Sequence, residues 1–281
     1  MRVVRNALKR LLPEAARDIC HLAQAHKARH GRYPRILRPR TFSEKVCHRL
    51  MFDRRPILTQ CADKYAARDY IEHRLGSAVL PRLCHVTRDP ATIPWDALPD
   101  RYVMKATHAS GWIRVVTGSV DREALAHLCG QWLRQSYYSV SREWPYRNIT
   151  PRILIEEFVD DGSGTVPPDF KFFVFDGKPA IIQVDASRFT GHTRALYDLQ
   201  WRRLPVTLQF PPVPNETPPP EHLAQMIEAA AELGRGMDFL RVDLYDTPRQ
   251  FYVGELTTSP EAGLGVFTPR DFDESLGRLW R

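Results

Sequence analysis

The stretch that most constrains this chain is residues 241–258, reading RVDLYDTPRQFYVGELTT. Two runs of β-favouring residues flank the turn-like segment Asp246-Thr247-Pro248-Arg249-Gln250, so a hairpin is expected. In the first run Leu240, Val242 and Leu244 fall on one face, and Arg241 and Asp243 on the other. In the second, Glu255 and Thr257 share a face opposite Leu256. If the apolar faces coincide, Arg241, Asp243, Glu255 and Thr257 stand together. Two carboxylates on rigid strands suit Mg²⁺, a hard ion that takes oxygen ligands and bridges to substrate phosphates. The same pattern also describes a solvated strand pair carrying an Arg–carboxylate ion pair. The hairpin by itself does not choose between them.

With 281 residues the chain can bury a substantial core, in one large domain or two to three lobes. A formal charge of +7 points to an anionic partner: nucleotide, acidic glycan, membrane surface or nucleic acid. The charge is carried by 33 Arg against 7 Lys, so each lysine stands where arginine was not used. Five scattered cysteines, with no CxxC or Cys/His ligand spacing, suit buried thiols in a reducing cytoplasm better than a disulfide framework. No apolar run approaches membrane-spanning length. The first residues, MRVVRNALKRLLPEAARD, read as a basic amphipathic helix. Such a helix suits either an anionic membrane surface or a packed position with a basic outer face.

Along the chain, Thr41 or Ser43 is expected to cap a helix running through Val46, Leu50 and Met51. A second helix is expected over 59–76, with Ala62, Tyr65, Ala66, Tyr70 and Ile71 at helical spacing. Strands are expected over 79–86, 102–104, 113–116 and 153–155, with a helix over 122–138 among them. FKFFVF, the turn Asp176-Gly177 and PAIIQVD form a strong hairpin signature. A strand near 195–199 precedes PPVPNETPPP, an extended surface excursion, and a helix over 222–233 leads to the opening hairpin. The alternation of helices and strands places the chain in the α/β class, with α+β lobes.

Several residues invite chemistry. Lys105 ends an apolar strand just before Thr107-His108-Ala109-Ser110-Gly111. A small-residue loop lets backbone N–H groups approach phosphate oxygens while the lysine supplies charge. Glu156-Glu157-Phe158-Val159 leaves a buried strand at an inter-lobe boundary, where backbone groups can read an adenine edge and Phe158 can wall the base. Lys64 in ADKY and Lys171 in DFKFF suit a crowded phosphate pocket, because an ammonium is more compact than a guanidinium fork. Arg188 and Arg194 are candidates, with Arg241, for holding a carboxylate or acyl phosphate. Each has a plainer reading too: a snorkelling lysine, an acidic strand end, a surface ion pair. His192 reads as structural and His108 as a loop contact. No GxSxG, HExxH, GxGxxG or Walker spacing is present.

Taken in order, RPRTFSEK, ADKYAARDYI, LPDRYVMKATHASG, REWPYRNITPRILIEEFV, DFKFFVFDGKPAIIQVD, ALYDLQW, RVDLYD and FYVGELTTSP resemble the TupA-like ATP-grasp family, named for teichuronopeptide synthesis. The likeness runs from Arg38 to Pro260. It implies an ATP-grasp fold, two α+β lobes gripping ATP beneath an N-terminal helical and α/β region. The implied division is 1–40 as basic helix and connection, 41–104 as the N-terminal α/β region, 105–159 as the small lobe with phosphate loop and hinge, and 160–281 as the C-terminal lobe. It also implies Lys64, Lys105 and Lys171 near phosphates with Thr107, His108, Ser110 and Gly111. Glu156 to Val159 become the adenine hinge, and Asp243, Glu255 and Thr257 the Mg²⁺ side. Thr257 stands where many ATP-grasp enzymes have Asn. HASGW replaces a more glycine-rich HGSGG-type loop, so Trp112 must stack or pack.

The implied chemistry is ATP-dependent carboxylate–amine ligation through an acyl phosphate, with Arg241, Arg188 and Lys171 steadying the developing charge. The family's tie to cell-surface polysaccharide makes the carboxylate an acidic glycan or its lipid-linked precursor, and the amine an amino acid. A nucleic-acid partner is not expected, and the setting is the cytoplasm or the inner face of the membrane. Two other readings stay open: an ATP-grasp kinase, which yields a stable phosphorylated product and no free phosphate, and a non-catalytic polyanion-binding protein, whose binding is salt-sensitive and indifferent to Asp243 and Glu255.

Overall fold

The computed structural model describes residues 13–164, 166–186, 191–214 and 216–281. The helix expected over the first residues lies outside these through residue 12, as does Arg188. The described chain starts with α1 (Glu14–His30), then α2 (Phe42–Phe52), α3 (Pro56–Ala62) and α4 (Ala66–Leu75). Among the described residues no helix is long and apolar enough to cross a membrane.

Thr41 caps α2 as expected, in a reciprocal box: its hydroxyl accepts from the Glu44 N–H at 3.2 Å, and the Glu44 carboxylate accepts from the Thr41 N–H at 3.3 Å. Glu44 does more than cap. It also accepts from the N–H of Arg40 at 2.9 Å, the N–H of Arg35 at 3.3 Å and the guanidinium of Arg32. One buried carboxylate thus folds the Arg- and Pro-rich connection back onto α2.

The single helix expected over 59–76 is two helices, because Asp63 ends the first and starts the second. Its Oδ1 accepts from the N–H of Tyr65 at 2.9 Å and of Ala66 at 3.4 Å. The break frees the N–H of Lys64 to donate to the Thr107 carbonyl at 3.3 Å. Periodicity reads through such a break, since both helices bury the same kind of face.

A four-stranded antiparallel sheet follows, built from β1 (Leu83–Thr87), β2 (Arg101–Ala106), β3 (Ile113–Thr117) and β4 (Ile153–Glu157) in the order β1-β4-β2-β3. β1 starts after Pro81, not at residue 79, where a short 3₁₀ turn (Ser77–Val79) stands instead. Helix α5 (Arg122–Arg134) covers one face, packing Leu125, Cys129 and Trp132 on Tyr102, Met104, Val116 and Ile155. The expected helix over 122–138 stops at Arg134, and Tyr137–Ser141 forms a separate short α6. This sheet crosses the expected boundary at 104/105, because β2 passes through it and β1 pairs with β4.

The second sheet has five antiparallel strands: β5 (Asp169–Phe175), β6 (Lys178–Ala186), β7 (Thr193–Tyr197), β9 (Leu240–Asp246) and β10 (Phe251–Thr257), ordered β10-β9-β5-β6-β7. A small β8 (Thr207–Leu208) pairs with β11 (Phe267–Thr268). The turn between β5 and β6 has positive φ at both Asp176 (49°) and Gly177 (71°), the twist a two-residue hairpin loop prefers. One sheet face is apolar throughout. Phe170, Phe172, Val174, Val242 and Leu244 pack there against α3, α4 and α7 (Leu223–Gly234). The other face is divided. Phe173, Phe175, Ile181 and Leu196 join Phe42, Val46, Leu50, Phe239 and Trp280 beside α8 (Asp271–Leu279). At the far end of the same strands the face turns charged, and the site lies there.

Burial pushes the Glu44 carboxyl up, but four donors outweigh it and hold the group at about 2. Glu44 is therefore ionised and stabilising above its unfolded value near 4.5, and that stabilisation fades as pH falls toward 2. Glu44→Gln is expected to cost about 2 kcal/mol at neutral pH, the worth of hydrogen bonds to a charged group. In urea unfolding the gap between variant and parent should stay level above about pH 5 and narrow below about pH 4.5.

Candidate active site

The charged end of the second sheet is assembled by register. Lys171 on β5 lies opposite Gln183 on β6 and Asp243 on β9; Asp185 opposes both Asp169 and Arg194; Asp243 opposes Glu255, and Arg241 opposes Thr257. The last two pairings depend on a bulge at Gly254. Between Val253 and Glu255 the register shifts by one residue, so Val253 and Leu256 both reach the core while Glu255 and Thr257 turn to the charged face. The Tyr245 ring lies over Gly254, where an added Cβ would come within 2.5 Å of it.

The side chains pair tightly. Arg241 grips Asp243 with two parallel bonds of 2.7 and 2.8 Å and also donates to the Thr257 hydroxyl at 3.1 Å. Lys171 donates at 2.6 Å to Asp243 Oδ2, the oxygen that also accepts from Arg241 Nη2, and lies 3.5 Å from Asp169 and 3.9 Å from Asp185. Arg194 holds Asp185 at 2.6 and 3.1 Å and Glu261 at 3.2 Å. Lys64, delivered by the α3–α4 break, donates to Glu255 at 3.0 Å and to the Ala109 carbonyl at 2.8 Å. It thereby ties the loop after β2 to β10. Burial raises the Glu255 carboxyl, yet Lys64 and then Arg241 hold it down at about 2. Burial likewise opposes ionisation of Asp185, and Arg194 and Lys171 reverse that, keeping it well below the carboxylate range.

Lys171, Asp185, Arg194, Arg241, Glu255, Thr257 and Glu261 line a cavity of about 490 Å³ together with Ser110 and Gly111, whereas Lys64, Asp169 and Asp243 are not on its wall. A second cavity, of about 110 Å³, is walled by Val103, Val115, Val166 and Pro167 with Lys105, Tyr245 and all of Glu156, Glu157, Phe158 and Val159. Gly111 and Ile113 border both, so the cavities adjoin at the loop. Lys105 is ion-paired directly to Glu156 on the neighbouring strand, which also takes Arg68 at 3.4 Å. Glu157 is half-exposed and paired to Arg82 at 2.9 Å; Phe158 carries the Arg101 guanidinium over its ring at 4.1 Å.

Of the expected loop residues, Ser110 and Gly111 reach a cavity wall. Thr107 and His108 line neither cavity. Thr107 is fully buried, its N–H donating to the Arg152 carbonyl at 3.0 Å and its hydroxyl to the Thr150 carbonyl at 3.4 Å. His108 turns its Nε2–H onto the carbonyls of Trp132 and Gln135 at 3.0 and 3.2 Å, closing the end of α5. Desolvation lowers its pKa, so it stays neutral there. The spacing in the sequence places both residues in the loop but not the direction of either side chain. Trp112 packs edge-on between His108 and Tyr137. Arg188, outside the described residues, is not placed.

Other cavity residues were not singled out from sequence. Asp185 and Gln183 had a signal, since in PAIIQVDA they alternate with Ile182 and Val184 as Asp243 alternates with Val242 and Leu244. Glu143, Tyr137, Tyr146 and Glu261 come from irregular connections or short helices, where no period marks the facing side.

The sequence profile described as TupA-like ATPgrasp matches residues 44–281, and the chain belongs to that family. No curated protein matches it. Among solved structures it is similar to D-alanine–D-alanine ligase from Bacillus anthracis complexed with ATP, at 16% identity over 73% of this chain and 56% of that one, TM-score 0.43. It is also similar to the ATP-grasp ligase PsnB with a phosphomimetic precursor variant, Mg and ADP (14% identity, 73% and 52% coverage, TM-score 0.43). A third is phosphoribosylamine–glycine ligase from Thermotoga maritima (13%, 74% and 50%, TM-score 0.45). The chain spans about half the length of these structures.

ATP and Mg²⁺ are the pair an ATP-grasp site is built for, and the donor set fits the ion. Among the described residues no three His, Cys, Asp or Glu side chains form a closed metal cage. Mg²⁺ does not need one, since one or two carboxylates plus phosphate oxygens and water suffice. Glu255 is ionised, 28% exposed and directly opposite Asp243. Asp243 already accepts three bonds and Thr257 one, which leaves Glu255 the most open ligand of the three.

Lys64→Met should release Glu255 to its burial. Its titration, followed by NMR of labelled glutamate, is expected to move upward from about 2 by one to three units, the usual effect of a cation in contact. An unmoved Glu255 would show that Arg241 and Lys171 hold it without Lys64.

Proposed function

We propose that this protein is an ATP-dependent carboxylate–amine ligase that works through an acyl phosphate. The observation that carries the reading is the joining of the two cavities at Gly111 and Ile113. The smaller, mostly apolar one suits a base; the larger one presents Lys171, Arg194 and Arg241 with the Glu255 carboxylate where phosphates would run. The N–H groups of Glu157 and Phe158 already donate to the carbonyls of Arg82 and Arg101, so the base edge falls to the backbone beyond them.

In this reading Asp243 and Glu255 hold Mg²⁺, which supplies neutralisation of phosphate charge when bound. Lys105 sits at the base end of the phosphate run. Lys171, Lys64 and Arg241 face the transferring group, and each is held in place beforehand by a carboxylate, so little reorganisation is needed as negative charge develops. The substrate carboxylate takes the γ-phosphoryl group, and the amine then displaces phosphate from the acyl carbon. Arg241, Arg194 and Arg188 are the candidates for holding the acyl phosphate.

The acceptor is proposed as a uronic-acid carboxylate of a cell-surface glycan or its lipid-linked precursor, and the amine as an amino acid. Family membership and the net charge of +7 support an acidic acceptor. Cytoplasmic action follows from the ATP requirement, and the basic N-terminal segment is the proposed contact to the inner membrane face.

An ADP- and phosphate-release screen of amino acids against uronic-acid oligosaccharides and lipid-linked precursors tests the proposal. ADP, free phosphate and an amide should appear in equal amounts. Glu255→Gln and Asp243→Asn should each lower turnover by about 10²–10³-fold, the usual loss when charge stabilisation is removed. A stable phosphorylated product without free phosphate would move the protein to the kinases. Full turnover in Glu255→Gln would falsify the metal assignment.

A further inference from the structure

One carboxylate in the main cavity is unlike its neighbours. Glu255 has Lys64, and Asp185 and Glu261 have Arg194, whereas Glu143 pairs with no cation among the described residues. It is only 7% exposed. Each oxygen accepts one hydroxyl: Oε1 from Tyr137 at 3.2 Å and Oε2 from Ser259 at 3.0 Å. Tyr137 and Tyr146, packed edge to face at 4.8 Å, stand beside it on the cavity wall.

A buried carboxylate held by two neutral hydroxyls is costly, and glutamine would fill the same space without a charge to desolvate. The arrangement is matched to a cation that arrives from outside. The hydroxyls fix the orientation of the carboxylate, and the aromatic rings favour positive charge over their faces. The cavity connects this point to Lys171, Arg241 and Glu255, where the acyl phosphate would form.

We infer that Glu143, with Tyr137, Tyr146 and Ser259, is the subsite for the attacking amine, that it binds the substrate as a primary ammonium and that Glu143 removes the proton that must leave before attack. This rests on the ligase reading above. The ammonium R–NH₃⁺ gives one proton to the Glu143 carboxylate, leaving a neutral amine. Its lone pair attacks the acyl carbon, the C–N bond forms and the C–O bond to phosphate breaks. The second amine proton leaves with phosphate as HPO₄²⁻, and Glu143 returns its proton to solvent. Desolvation raises the Glu143 carboxyl, the hydroxyls of Ser259 and Tyr137 only partly offset this, and the group stands at about 7, suited to exchanging a proton near neutrality.

The experiment separates the two half-reactions. Hydroxylamine, a neutral nucleophile at pH 7, traps acyl phosphate as a hydroxamate without an ammonium site; an amino-acid mixture gives the amide. Wild type and Glu143→Gln are compared on uronic-acid oligosaccharides for both products. The amide-to-hydroxamate ratio should fall by about 10²-fold in the variant, mainly through a raised KM for the amino acid. Tyr137→Phe should shift the ratio the same way by a smaller factor, and it decides the matter if Glu143→Gln does not fold. An unchanged ratio in the folded variants overturns the inference, as does equal loss of both products. If wild type forms no hydroxamate from any carboxylate, the ligase reading itself has failed.

Discussion

The structure turns on the grip that Arg241 and Lys171 keep on Asp243 at the charged end of the second sheet. Three ionised groups are buried there, at 8%, 5% and 2% exposure. Burying any one alone would be strongly unfavourable, and removing one partner leaves the others uncompensated. The arrangement holds because antiparallel register places cation and anion side by side, and because Asp185, Arg194 and Glu255 with Lys64 extend the pairing outward. Arg241 is pushed further up despite its burial, since Asp243 and then Glu261 and Glu255 surround it with negative charge. Such a network is a weak source of net stability but a strong source of fixed geometry, which phosphate chemistry requires.

The same strands supply both halves of the face. Phe173 and Phe175 anchor one end in the aromatic cluster around Phe42, Phe239 and Trp280, while Lys171 and Asp169, two and four residues earlier than Phe173, form the other. An alternating strand carries this change along its length without altering its backbone. The apolar cluster fixes the sheet, and the rigid sheet holds the charges at their spacing. Lys64 then brings the first sheet's loop to the second sheet, so the two lobes meet over shared ions.

Much of this was legible. The alternation in 241–258 foretold which hairpin residues share the charged face, and FKFFVF-DG-PAIIQVD foretold the neighbouring hairpin. Residues 156–159 border one small cavity together. What failed did so where local signals are degenerate. Asp63 splits a helix whose apolar period continues, and α5 ends at Arg134 although Tyr137 and Tyr138 keep the pattern.

Sequence alone determined the strand alternation, a helix cap at Thr41 or Ser43 and the family, because each depends on residues near one another in the chain or on their order. Only the tertiary structure decided that Glu255 faces Asp243, through the Gly254 bulge, and that Lys64 reaches across from a helix break. It alone showed that Glu143, in an irregular segment, stands buried without a cation among the described residues. Those facts depend on which distant groups share a low-dielectric space, and no spacing within a strand or helix encodes that. The hairpin first readable as a solvated ion pair is, in the folded chain, a buried charge array at the wall of a cavity.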